Sequence, residues 1–76
     1  LFERRQRTPQ RLLEVGSGFG FTLAAARRLG LSVQGIDVNP AAAEGARALT
    51  GVETFVGTSS DWLAAHPTSR FDVVLY

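Results

Sequence analysis

Cysteine, methionine and lysine are all missing from this chain, and it has no run of like charge beyond pairs such as Arg4-Arg5. Without cysteine there is no disulfide framework and no thiolate metal site. All eight basic residues are therefore arginine, which with abundant alanine and glycine suggests a GC-rich bacterial coding sequence. The net charge is +1, so no electrostatic footprint for nucleic acid or a membrane surface stands out. Arg4, Arg5, Arg7 and Arg11 form a mild basic cluster, read as a solvated segment ahead of a phosphate-binding arm. No apolar stretch approaches the roughly 20 residues of a membrane span, and no signal peptide is visible. A cytoplasmic location is the expectation. The lack of an initiator methionine and the apolar run reaching Tyr76 suggest a piece of a longer protein. At 76 residues the chain is about half the usual domain size and buries only about 60–65% of its unfolded surface.

What the chain does have is glycine at three alternate positions. Glu14-Val15-Gly16-Ser17-Gly18-Phe19-Gly20 lies between an apolar run (Leu12, Leu13, Val15) and an alanine-rich amphipathic stretch. This reads as strand, turn and helix. Glycines there let a ligand approach the backbone beside amides left unpaired at a helix start.

The remaining punctuation predicts alternating strands and helices. Leu1 to Gln10 reads as a short helix or linker ending near Thr8-Pro9. Arg11 to Val15 is the first strand, apolar enough for the centre of a parallel sheet. A helix is expected from about Phe19 to Leu29, with Phe21, Ala24, Ala25 and Leu29 on one stripe, Arg27 and Arg28 late, and Gly30 as the stop. Leu31 to Asp37 is the second strand. Asn39-Pro40 signals a helix start, and that helix runs to about Leu49 with Gly51 ending it. Gly45 inside it costs roughly 0.5–1 kcal/mol relative to alanine, which points to close packing against the sheet. Val52 to Val56 is the third strand, Ser59 or Ser60 caps a short helix that Pro67 ends, and Phe71 to Tyr76 is the fourth strand. The order β-α-β-α-β-α-β implies right-handed crossovers and a doubly wound α/β sheet, Rossmann-like in kind.

The dinucleotide fingerprint G-x-G-x-x-G needs glycine at position 21, where this chain has Phe21. The observed G-x-G-x-G is preceded by Glu14, whose charge would repel a pyrophosphate and favour a cationic ligand. S-adenosylmethionine, with its sulfonium and amine, suits that field. Glu14 among apolar neighbours in a central strand is expensive without a partner or ligand. Asp37 lies at the carboxyl end of the second strand, where open α/β sheets bind their ligands, and a carboxylate there faces both hydroxyls of a ribose. Alone it would read as a turn residue before Asn39-Pro40.

LLEVGSGFG, GIDVNP and FDVVLY together resemble the core of the class I S-adenosylmethionine-dependent methyltransferases, over roughly Leu12 to Tyr76. The resemblance implies a seven-stranded sheet ordered 3-2-1-4-5-7-6, of which residues 11–76 supply strands 3-2-1-4. It implies cofactor binding by Glu14, Gly16, Ser17, Gly18, Gly20, Asp37 and Val38, with Glu14 near the methionine amine and Val38 on the adenine. Asp61 resembles the acid that bonds the adenine amino group, although many members place that acid where this chain has Thr58. Trp62 would cover the adenine, against a packing role as the alternative. Asp72 is assigned structure, and His66, before Pro67, reads as a surface residue at a helix end rather than a general base. No catalytic residue and no metal site is assigned. The implied reaction is methyl transfer to an unidentified acceptor, expected to be a small molecule whose pocket lies largely beyond Tyr76. Two other readings stay open: an aminopropyltransferase-like enzyme, and a non-catalytic methyltransferase-like binding module.

Overall fold

The computed structural model describes residues 10–76, so the helix or linker expected over the start of the chain lies, apart from Gln10, outside the described residues. β1 (Arg11–Val15) forms as its apolar run predicts and buries Leu12 on one face and Leu13 on the other. It pairs in parallel with β2 (Ser32–Asp37) on one side and β4 (Val73–Leu75) on the other, while β2 also pairs in parallel with β3 (Thr54–Val56). The strand order is therefore β3-β2-β1-β4, the 3-2-1-4 arrangement of a Rossmann-like α/β fold. β3 and β4, the outer strands of the described sheet, are shorter than their sequence patterns.

Three helices cover the two faces: α1 (Phe21–Arg28), α2 (Pro40–Thr50) and α3 (Ser59–Ala65). On one face Leu12 packs with Leu23 and Ala26 of α1, flanked by Leu31, Val33, Val73 and Leu75. On the other, Leu13 and Ile36 pack with Trp62 of α3, flanked by Val15, Phe55 and Phe71. Burial of these side chains is the main force holding the layers together.

Local signals explain most of the boundaries. Asn39 caps α2 by accepting from the Ala41 amide at 2.9 Å, Pro40 opens it, and Gly51 closes it at φ 73°. Asp72 is structural as assigned: its carboxylate accepts from the Arg11 amide at 2.7 Å, joining the starts of β1 and β4.

Three expectations are corrected. The buried stripe of α1 is Leu23 and Ala26, with Phe21 74% and Leu29 81% exposed. Leu23 drops into the gap over Gly35, where a Cβ would stand only 2.6 Å from Leu23 Cδ1, and that gap sets the helix rotation. The cap of α3 is Thr58, whose hydroxyl accepts from the Asp61 amide at 3.1 Å, rather than Ser59 or Ser60. Gly45 is closely packed, but against the ring of Phe19 in the glycine loop and not against the sheet; a Cβ there would lie 2.6 Å from Phe19 Cδ1.

Candidate functional site

At the carboxyl ends of β1, β2 and β3 lies a hollow of about 290 Å³, lined by Val15, Gly16, Ile36, Asp37, Val38, Gly57, Thr58 and Ser59. Its walls are mostly apolar, and Asp37 is the charged group among them. This is the crest of the sheet where the chain turns from β1 to α1, the usual ligand position in open α/β folds.

The loop between β1 and α1 is fixed by the neighbouring strand. The Gly16 and Ser17 amides both donate to the Ile36 carbonyl, at 2.7 and 3.1 Å, so the turn begins pinned to β2. Gly16 and Gly18 then take φ of 76° and 59°, a region open chiefly to glycine, and a Cβ at either would meet nothing within 4 Å. Bare backbone thus faces open space at both positions, as a cradle for a ligand requires. Gly20 differs. A Cβ there would stand 2.9 Å from Ala46 Cβ, so this glycine serves the contact between α1 and α2.

Asp37 is the junction of the site. One carboxylate oxygen, Oδ2, accepts from the Gly18 amide at 2.8 Å, and the other, Oδ1, from the Asn39 amide at 2.9 Å. A carboxylate offers about four acceptor positions, so two remain for hydroxyl donors in the hollow. Val38, 69% exposed beside it, presents an apolar surface.

Glu14 sits one strand away, paired in register with Gly35, two residues before Asp37. Its Oε1 is enclosed without a hydrogen-bond partner, and burial pushes the Glu14 carboxyl above the usual glutamate range. An unpaired, partly buried carboxylate is expensive, and a cationic ligand group would relieve it. The residues therefore fit an adenosyl cofactor with a charged amine: open backbone, a free pair of carboxylate acceptors, an apolar flank and an unsatisfied acid.

Of the residues singled out from sequence, Gly16, Asp37 and Val38 line the hollow, Gly18 is tied to it through Asp37, and Ser17 turns its hydroxyl inward to a buried place beside Gly35. Asp61 is exposed on the first turn of α3, outside the lining. Trp62 is 4% exposed and packed in the core with Ile36, so it supports the lining from beneath and does not reach the hollow. His66 stacks on Trp62 at 4.1 Å between ring centres, and its Nδ1 lies 2.8 Å from the Trp62 carbonyl oxygen. Gly57, Thr58 and Ser59 were missed as lining residues. The signal available for them was the glycine directly after a strand, the same punctuation that marks Gly16.

A sequence profile of the family described as "Methyltransferase domain" matches residues 13–76. Among solved structures, the chain is similar to one described as a high-resolution crystal structure of WbdD, with 26% identity and a TM-score of 0.74. The similarity covers 87% of this chain and 16% of that one, so the chain spans about a sixth of the WbdD length. No curated protein matches the chain.

Proposed function

The chain belongs to the methyltransferase domain family, and from that premise we propose that its hollow binds S-adenosylmethionine for transfer of the methyl group to an acceptor nucleophile. The observation that carries the reading is Asp37: a carboxylate that lines the hollow, holds the glycine loop by the Gly18 amide, and keeps acceptor positions free for a ribose. Val38 flanks the adenine, with Asp61 as its polar neighbour at the start of α3. The backbone at Gly16, Ser17 and Gly18 admits the methionine part, with Gly20 setting the end of that loop. Glu14 balances the ammonium charge, and Trp62 acts from the core by backing Ile36.

When bound, the cofactor would supply an activated methyl on a sulfonium, open to in-line attack by an acceptor nucleophile with S-adenosylhomocysteine as the leaving thioether. The protein contributes chiefly by holding donor and acceptor at near-attack distance. Isothermal titration of the intact protein with S-adenosylhomocysteine tests the reading. Binding is expected for the wild type and lost in Gly18→Val, whose side chain projects into open space beside the Asp37 carboxylate. Retained binding in Gly18→Val removes the loop from the site, and tight binding of NAD in place of the adenosyl ligand overturns the cofactor assignment.

A further inference from the structure

Among the residues lining the hollow, those with polar side chains are Asp37 at the end of β2, and Thr58 and Ser59 in the turn from β3 into α3. The Gly57 amide donates to the Asp37 carbonyl at 2.9 Å, so β2 and β3 remain joined past their last register pair, Asp37 with Val56. That bond brings the turn alongside Val38, the exposed apolar residue of the lining. Thr58 and Ser59 differ in what they are free to do. Thr58 caps α3, its hydroxyl accepting from the Asp61 amide at 3.1 Å, and retains its own hydrogen and one lone pair. Ser59, the next residue, is half-buried and carries no part of that cap. Asp61, the acid of this turn, is exposed and stands outside the lining. On the β3 side the hollow thus offers a ligand two hydroxyls and no carboxylate.

The distinction matters because a carboxylate can only accept a hydrogen bond, whereas a hydroxyl turns to donate or to accept. A 6-amino purine donates from its six-position and accepts at N1; a 6-oxo purine does the reverse at both atoms. Rotation of two hydroxyl hydrogens meets either pattern. We propose that Ser59, with Thr58 beside it, reads this edge of the cofactor's base, and that the hollow therefore takes the 6-oxo, inosyl form of the ligand nearly as well as the adenosyl form. The inference rests on the reading of the hollow as an S-adenosylmethionine site and adds a specificity-determining side chain to it. The charged group of the lining, Asp37, is bonded to the Gly18 and Asn39 amides and faces the ribose in that reading, so it does not select at the base. Val15, Ile36 and Val38 are apolar, and the exchange of amino for oxo leaves the outline of the base they meet almost unaltered.

Isothermal titration of the intact protein with S-adenosylhomocysteine and with S-inosylhomocysteine, its 6-oxo analogue, tests the inference. The two dissociation constants are expected to lie within about tenfold of each other. A larger preference for the adenosyl ligand overturns the inference, because it requires a fixed donor or acceptor at that edge, such as a first-turn amide of α3 or the Asp61 carboxylate. Ser59→Ala removes the hydroxyl, leaves the Thr58 cap in place, and is expected to weaken both ligands alike by about two- to tenfold. Unchanged affinity for both, or a loss confined to one, overturns the role of Ser59. Ser59→Asp puts an acceptor-only group at the same position, where an acid also suits the first turn of a helix, and is expected to open a preference of more than about tenfold for the adenosyl ligand. A ratio unchanged from the wild type takes Ser59 away from the base and likewise overturns the inference. Binding of S-adenosylhomocysteine with the wrong ratio leaves the site reading standing, whereas failure of the wild type to bind it overturns both.

Discussion

The first two helices of this chain begin in opposite ways. α2 closes its own start: Asn39 accepts from the Ala41 amide, Pro40 has no amide hydrogen and so needs no acceptor, and three consecutive residues suffice. α1 has no side-chain cap; its start is Gly20 at φ 87°, and the loop before it depends on Ile36 and Asp37 of another strand. The start of α2, secured by its own sequence, stands outside the lining of the hollow. That of α1, held by residues distant in sequence, with open backbone at Gly16 and Gly18, keeps room for a ligand. Between α1 and α2, the division between scaffold and site is thus drawn by where each turn finds its hydrogen bonds.

Four substitutions sharpen or break this contrast. The largest effect is expected from Gly20→Ala, which places a Cβ against Ala46 at a left-handed position and should destabilise the fold by about 2–4 kcal/mol, read from the urea midpoint. A near-neutral result would mean that α1 and α2 are free to move apart. Asp37→Ala comes next, with cofactor affinity expected to fall by about 1–3 kcal/mol in calorimetry, the scale for buried donors left unpaired. Unchanged affinity would place the ribose elsewhere. Asn39→Ala should cost about 1 kcal/mol of stability and leave cofactor affinity untouched; a matching loss of affinity would erase the distinction between the two helix starts.

The smallest effect concerns Glu14. Its carboxyl is held above the usual range by burial, so the folded state binds a proton more readily than the unfolded state. Stability of the ligand-free protein should therefore decline as pH rises from the ordinary glutamate range through the raised folded value, and stay lower above it. Glu14→Gln should flatten that decline in urea titrations at several pH values, while weakening cofactor binding at neutral pH. A steeper decline in the variant would contradict the assigned cause.

Legibility in the sequence followed the same division. β1, the Asn39-Pro40 start and the Gly51 stop were readable because each rests on a local pattern, the doubly wound parallel sheet from a general rule of crossover handedness, and the strand order only through the family resemblance. Gly16 and Asp37 were readable as candidate site residues from spacing and Val38 through the family resemblance, and all three line the hollow. The rotation of α1 was not. In an alanine-rich helix several stripes are nearly equivalent, and the choice of Leu23 and Ala26 is made by the missing side chain at Gly35, which lies outside the helix. Trp62 was ambiguous for a related reason, since only the packing of α3 onto Leu13 and Ile36 decides which way a large aromatic turns. The unpaired hydroxyls of Ser17 and Thr54 left no pattern at all, because only the folded chain brings the loop after β1 and the strand β3 beside Gly35.

The ring of Phe19 resting on Gly45 ties the glycine loop to the middle of α2, a helix whose residues stand outside the lining of the hollow. These two positions therefore form a lock-step pair for anyone redesigning the chain. A bulkier residue at 45 calls for a slimmer one at 19, and retuning the loop by exchanging Phe19 alone would leave a dent in α2 that nothing fills.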